Sequence, residues 1–92
     1  MRYVSTRGGG ESVSFEAAIG AGYAPDGGLY VPETLPRITA EDLDRWRTLD
    51  FTAVAAEVLL PFLDGEVTRE ELAELLSKSY AGYYATDRGL LP

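Results

Sequence analysis

The C-terminal half of the sequence carries apolar residues at the spacing of amphipathic helices. In one stretch they recur every three or four positions: Phe51, Val54, Ala55, Val58, Leu59, Phe62 and Leu63. This pattern predicts the central core helix, which Pro61 is expected to kink or end by removing a backbone donor. Another helix is predicted from about Arg69, with Glu74 and Lys78 as an i,i+4 ion pair on its polar face. Its apolar face consists of Leu72, Leu75, Leu76 and Tyr80.

Three helix starts carry clear capping signals. Thr39, Asp50 and Thr68 are each suited to the N-cap position, where a side-chain oxygen accepts a bond from a free backbone amide. Each is also enclosed by two apolar residues at the spacing of a hydrophobic staple. These pairs are Ile38 with Leu43, Leu49 with Val54, and Val67 with Leu72. Glu71 adds a capping box to Thr68, so three helices are predicted to begin directly after these residues.

The first third of the chain predicts two strands around one short helix. Residues 2–5 favour a strand, and Ser14 is a suitable N-cap for a helix that presents Phe15, Ala18 and Ile19 on one face. Gly20 and Gly22 are expected to end this helix. The second strand, Leu29–Val31, is expected to stop at Pro32 and to pair with the first.

The order of these elements predicts one small α+β domain over residues 1–92. Its two-stranded β-sheet, Arg2–Ser5 with Leu29–Val31, is expected to pack on a cluster of about four α-helices.

The stretch GYAPDGGLYVPETLP, residues 22–36, is either a functional loop or a structural corner. Pro25 and Asp26 suit the central positions of a turn, and Gly27 and Gly28 tolerate the positive φ that usually follows. Asp26 could instead bind a cation, but its neighbours are apolar residues or glycines rather than oxygen ligands. The structural corner is therefore favoured, with six residues that define it: Pro25, Asp26, Gly27, Gly28, Tyr30 and Pro32.

Charge and composition exclude several classes of function. The net charge of −7 argues against nucleic acid and against anionic membranes, and no apolar run reaches the length of a membrane helix. The chain lacks cysteine and histidine, so no metal ligands or catalytic residues of those types exist. The N-terminus does not resemble a signal peptide, and a cytoplasmic location is expected.

Other candidate sites have simpler explanations. The triplet Gly8–Gly10 lacks the Gly-Lys-Ser/Thr of a phosphate loop and is favoured as a connector. The paired carboxylates lie on predicted helix starts and polar faces, where they complement the helix dipole. Lys78 could form a Schiff base, but its predicted pairing with Glu74 argues against this. The cluster Tyr80, Tyr83 and Tyr84 is favoured as an interdomain contact over a stacking platform for a ligand.

Two motifs together resemble the N-terminal domain of threonine synthase over about residues 2–84. They are YVSTRG at residues 3–8, and VSFEAAIGAGYAPDGGLYVPETLP at residues 13–36. A Ser-Tyr segment, SKSYAGYY at residues 77–84, matches the end of that domain. The block APDGGLYVP, residues 24–32, is highly specific, and STRG with VSF at this spacing makes coincidence implausible.

The resemblance implies an accessory domain that packs on the catalytic domain of the same enzyme. The full-length family enzyme converts O-phosphohomoserine and water to threonine and phosphate with pyridoxal phosphate. The family's cofactor lysine and phosphate loop lie in a later domain, so no catalytic, cofactor-binding or metal residue is assigned here. The alternative is a stand-alone interaction module, which would bind a protein partner or form a homodimer.

Overall fold

The computed structural model describes residues 1–63, 65–86 and 89–91, with the backbone alone for 84–86 and 89–91. Its elements run in the order β1 (Tyr3–Ser5), α1 (Phe15–Ala21), β2 (Tyr30–Pro32), α2 (Ala40–Trp46), α3 (Phe51–Leu63), α4 (Arg69–Ser79), β3 (Tyr84–Thr86) and β4 (Gly89–Leu91). The predicted α+β class, with two antiparallel strands and four helices, is confirmed. An additional antiparallel pair, β3 with β4, was not predicted, because its residues show no alternation of polar and apolar side chains.

Strands β1 and β2 pair antiparallel, with Val4 opposite Val31. β2 begins and ends one residue later than predicted and includes Pro32, which lies opposite Tyr3. Tyr3 exchanges both of its backbone hydrogen bonds with Val13, at 2.9 Å each. The amide and carbonyl of Tyr3 both point toward Val13 and away from β2. The β2 residue opposite Tyr3 therefore needs no backbone N–H, and proline is tolerated at position 32.

The predicted helix starts are confirmed by their hydrogen bonds. The Thr39 hydroxyl accepts from the Asp42 amide at 3.1 Å, and the Asp42 carboxylate accepts from the Thr39 amide at 3.0 Å. Thr68 and Glu71 form the same reciprocal pair, with both bonds at 3.1 Å. Asp50 accepts from the Ala53 amide at 2.9 Å. These side chains satisfy backbone donors that the first helical turn leaves unpaired.

The contacts of the chain define two compact units. Unit 1 comprises residues 1–37 and 61–66. Its buried residues are Tyr3, Ser5, Ala18, Ala24, Gly28 and Leu63. Helix α1 begins at the Ser14 cap and ends at Gly22, whose φ of 75° gives the left-handed turn that glycine adopts without strain.

Glu66 provides a second cap for α1 within unit 1. Its carboxylate accepts the backbone amides of Phe15 and Glu16, both at 3.0 Å. A negative charge at a helix N-terminus is stabilising because the free amides and the helix dipole both favour it. The N-terminus of α1 therefore depends on a residue fifty positions further along the chain.

Unit 2 comprises residues 38–60 and 67–92 and contains the buried side chains of Ala56, Leu72 and Leu76. Glu57 of α3 connects three elements of this unit. Its carboxylate lies 2.7 Å from the Arg69 guanidinium and 3.2 Å from that of Arg45, and it accepts from the Trp46 indole at 3.4 Å. The Arg69 hydrogen bond is the main cause that lowers the pKa of Glu57. This cluster links α2, α3 and the start of α4.

Helix α3 differs from its prediction in two respects. It continues through Pro61 to Leu63, so the proline does not end it at once. The expectation that Phe51, Val58 and Leu59 form a buried core face was wrong, since all three are exposed. Leu63 of the predicted face is buried, and so is Ala56, which was not part of that face. Because α3 is apolar on nearly every side, its periodicity alone cannot show which side faces the core.

Candidate functional site: the Asp26 corner

The carboxylate of Asp26 joins the two sequence motifs of unit 1. One oxygen accepts from the Ser5 hydroxyl at 2.7 Å and from the Gly28 amide at 2.9 Å. The other accepts from the Gly9 amide at 2.9 Å. The side chain therefore organises the STRG segment and the PDGG turn at the same time. We refer to residues 5–9 and 24–29 as the Asp26 corner.

Thr6 and Arg7 complete the connection between the two segments. Thr6 and Leu29 share two bonds, since the Thr6 amide donates to the Leu29 carbonyl at 2.8 Å and the Leu29 amide donates to the Thr6 hydroxyl at 3.0 Å. The Arg7 guanidinium donates to the Asp26 backbone carbonyl at 3.1 Å. Every polar residue of the STRG motif thus bonds to the turn, which makes the corner one hydrogen-bonded structure.

The PDGG turn has the bonding pattern of a hairpin loop with a bulge. The Gly27 amide donates to the Ala24 carbonyl at 2.9 Å, and the Ala24 amide donates to the Gly28 carbonyl at 2.8 Å. Pro25 and Asp26 occupy the two central positions, and Gly27 has a φ of 84°. This is the left-handed residue that follows the turn in such loops.

Gly28 is required for a different reason from the one that the sequence suggested. Its φ is not in the left-handed region, where only Gly8, Gly10, Gly22, Gly27 and Gly65 lie among the glycines of the described chain. A Cβ atom at position 28 would instead collide with the Ser5 hydroxyl and lie 3.1 Å from the Arg7 amide nitrogen. The close approach of β1 to the turn therefore requires glycine here.

We expect the stabilising effect of Asp26 to be lost in acid. Its pKa is lowered in the folded chain, chiefly by the Ser5 hydroxyl and then by the Gly28 amide. An unfolded aspartate titrates near pH ~3.9, so the unfolded state takes up protons first as the pH falls. The contribution of Asp26 is complete above that pH and disappears as the pH falls through the lower pKa of the folded chain.

Urea unfolding of the wild type and of Asp26→Asn, from neutral pH to about pH 2, measures this effect. Asparagine keeps one acceptor oxygen but presents an NH₂ group to the Gly9 amide. At neutral pH the wild type is expected to have the larger free energy of unfolding. The difference in this free energy between the two proteins should narrow in acid. A difference that stays constant across the whole range would contradict the assignment.

A largely apolar pocket of about 380 Å³ adjoins the first strand of unit 1. Its lining residues are Tyr3, Phe15, Ala18, Ile19, Gly22, Leu29 and Tyr30. The Tyr3 hydroxyl donates to the Phe62 carbonyl at 2.6 Å, and the Tyr3 and Phe15 rings lie 5.7 Å apart. Burial, followed by the negative charge of Glu66, raises the pKa of Tyr3. The neutral Tyr3 side chain thus forms part of one wall of the pocket.

The polar groups of the corner bond to one another rather than converging on an open space. Among the described residues, no buried side-chain nitrogen or oxygen lacks a hydrogen-bond partner. The same part of the chain contains no group of three or more acidic residues that could hold a metal ion. No helix in the described ranges has both the length and the apolar character needed to cross a membrane.

The tyrosines near the C-terminus are partly brought together. The Tyr80 ring lies edge-on to Phe51 with a centroid distance of 4.9 Å, and to Tyr83 with a distance of 5.1 Å. The side chain of Tyr84 lies outside the described residues. The predicted pair of Glu74 and Lys78 is present, at 3.0 Å.

The position of Asp26 in the turn was predicted from the sequence, but its hydrogen-bond partners were not. Ser5 and Gly9 lie 21 and 17 positions away from it, and Glu66 lies about fifty positions from the helix that it caps. The available signal was the presence of two polar motifs, STRG and PDGG, in segments predicted to pair as strands. A buried serine facing a turn aspartate is a natural consequence of that pairing.

Comparison with known proteins relates this architecture to a family. Residues 2–80 match the family described as "Threonine synthase N terminus". The chain belongs to this family. Both motifs of the Asp26 corner lie inside the matched range.

Relatives of the threonine synthase N-terminus family extend far beyond the matched segment. Threonine synthase of Pseudomonas aeruginosa is 42% identical over 87 residues, which cover 95% of this chain and 18% of that protein. Threonine synthase-like 2 of Mus musculus is 42% identical over 84 residues, which cover 90% of this chain and 17% of that protein. The chain therefore spans less than a fifth of the length of these two relatives.

Solved structures of threonine synthases contain the same fold. The pyridoxal phosphate-bound threonine synthase of Brucella melitensis matches with a TM-score of 0.86 and 38% identity, over 90% of this chain and 18% of that one. The threonine synthase of Escherichia coli matches with a TM-score of 0.85 and 29% identity, over 94% of this chain and 20% of that one.

Proposed function

We propose that this chain is the N-terminal accessory segment of a threonine synthase. The parent enzyme would convert O-phosphohomoserine and water to threonine and phosphate with pyridoxal phosphate. In this proposal the segment contributes shape and contact surface, while the reacting groups belong to the larger remainder of the enzyme. The chain alone would be catalytically inactive.

One observation carries the proposal: a family match over residues 2–80 in a chain that covers only 18% of its P. aeruginosa relative. The corner geometry supports it as well. The Asp26 carboxylate accepts from Ser5 and Gly28, and the Thr6 hydroxyl accepts from the Leu29 amide, which is the arrangement of a structural joint. Catalytic groups instead converge on a site that a substrate can enter.

The described residues do not fit the parent's cofactor. Pyridoxal phosphate is held in enzymes through a Schiff base with a lysine, whose amine is activated by desolvation or by a neighbouring cation. Lys78 is the single lysine of the sequence, and its side chain is 73% exposed and lies 3.0 Å from the Glu74 carboxylate. A hydrated amine paired with an anion has neither source of activation. We therefore assign the cofactor site to the remainder of the parent enzyme.

The proposal is tested by grafting this chain onto the P. aeruginosa threonine synthase in place of its matching N-terminal segment. The chimera should release phosphate from O-phosphohomoserine at a rate within about tenfold of the unmodified enzyme. The same enzyme without any N-terminal segment is the control and should be much less active. A chimera no better than this control, or phosphate release by the isolated chain with pyridoxal phosphate, would contradict the proposal.

A stand-alone interaction module is the second candidate, supported by the exposed apolar side chains of unit 1. Tyr23 is 70% exposed and Leu35 is 78% exposed. Exposed apolar residues of this size favour a binding surface when they lie together. Light scattering of the isolated chain over a range of concentrations distinguishes the two: reversible dimerisation, together with an inactive chimera, would favour the module.

A further inference from the structure

Helix α3 carries an apolar stripe on its outer side. Phe51, Ala55, Val58 and Leu59 follow the spacing i, i+4, i+7 and i+8, which places them on one face of a helix. Phe51 is 45% exposed, Val58 37% and Leu59 41%. Ala56, which is not part of this stripe, is buried. We call Phe51, Ala55, Val58 and Leu59 the α3 stripe.

The sequence of α3 is that of a helix enclosed on all sides. Glu57 is its one charged residue, and it bonds to Arg69, Arg45 and Trp46 rather than facing water freely. A helix of a monomeric protein normally has a charged or polar outer face, whereas one that is apolar all round is buried within a larger protein. The α3 stripe is thus a second apolar face that the described residues cover only in part.

Aromatic residues extend the stripe at its N-terminal end. Tyr80 packs edge-on against Phe51, and Tyr83 packs edge-on against Tyr80. Tyr83 is also exposed. Tyrosine offers a large apolar area together with a polar hydroxyl, and it is enriched where two surfaces meet.

We propose that the α3 stripe docks against an apolar surface in the remainder of the parent synthase. This inference rests on the function proposed above and adds the surface through which the segment is attached. The P. aeruginosa relative supplies more than four-fifths of its length beyond the matched segment, which provides an occupant. A second copy of this chain is a poorer occupant, because two chains of net charge −7 repel each other.

Thiol labelling tests this placement directly, because the chain contains no cysteine of its own. Val58→Cys places a thiol in the stripe with little change in volume. Ser77→Cys, on the exposed side of α4, is the matched control. Each variant is made in the chimera and in the isolated chain, and maleimide incorporation at that peptide is followed by mass spectrometry.

The labelling rate of Ser77→Cys is divided by that of Val58→Cys. This ratio should be about tenfold higher in the chimera than in the isolated chain, because interface cores exclude water. Leu59→Cys should behave like Val58→Cys. An unchanged ratio in an active chimera would overturn the docking surface and leave the proposed function standing. An inactive chimera would overturn both. Protection that increases with the concentration of the isolated chain would assign the stripe to a second copy and overturn the proposal.

Discussion

An alanine at position 28 is expected to lower the free energy of unfolding by about 1–3 kcal/mol. The added methyl group would collide with the Ser5 hydroxyl. It would also lie 3.0 Å from the Thr6 hydroxyl and 3.1 Å from the Arg7 amide nitrogen. Ser5 cannot rotate away without losing its 2.7 Å bond to Asp26. The strand and the turn must therefore separate, which weakens the whole Asp26 corner.

Gly20→Ala is the matched control for this substitution. Gly20 lies within α1, and a Cβ atom there would meet nothing within 4 Å. Alanine is favoured over glycine in a helix interior by roughly 0.5–1 kcal/mol, so this variant should be more stable than the wild type. Urea unfolding of both variants measures the two effects. If the free energy of unfolding changes in the same direction in both variants, the close approach of β1 is not the reason that position 28 requires glycine.

Tyr3→Ala is expected to have the larger effect, with a loss of about 3–5 kcal/mol. Tyr3 is 6% exposed, its ring lies tilted against that of Phe15, and it lines the unit 1 pocket. Its hydroxyl also donates to the Phe62 carbonyl, which belongs to the last turn of α3 and has no partner within the helix. A domain of this size has a stability of only about 5–15 kcal/mol, so the alanine variant should be largely unfolded at moderate urea.

Tyr3→Phe separates the two contributions. It keeps the ring and removes only the hydroxyl, which leaves the Phe62 carbonyl without its partner and should cost about 1–2 kcal/mol. Unfolding of the two variants by urea, followed by circular dichroism, provides the comparison. If Tyr3→Phe were as unstable as Tyr3→Ala, the hydroxyl rather than the packing of the ring would determine the stability of this site.

The parts of the fold that were predictable are those decided within one helical turn. The caps of α2, α3 and α4 depend on residues three positions apart, so Thr39, Asp50 and Thr68 marked their helices correctly. The turn at Pro25 and Asp26 is equally local. The pairing of β1 with β2 followed because the N-terminal half offered only two strand candidates.

The contacts that were missed depend on segments distant in sequence. No local pattern reveals that Asp26 accepts from Ser5, or that Glu57 binds both Arg45 and Arg69. The buried side of α3 was also not predictable, because an apolar helix offers periodicity on two faces. Pro32 was expected to stop β2, but the bonds between Tyr3 and Val13 make its position tolerant of proline.

The cap that Glu66 places on α1 affects the order of events during synthesis on the ribosome. Unit 1 is discontinuous, and its first helix receives that carboxylate only after some fifty further residues have emerged. Contacts between distant positions form late, because a long loop must first be closed. The nascent segment from β1 to β2 should therefore remain only partly stabilised until translation has passed the end of α3.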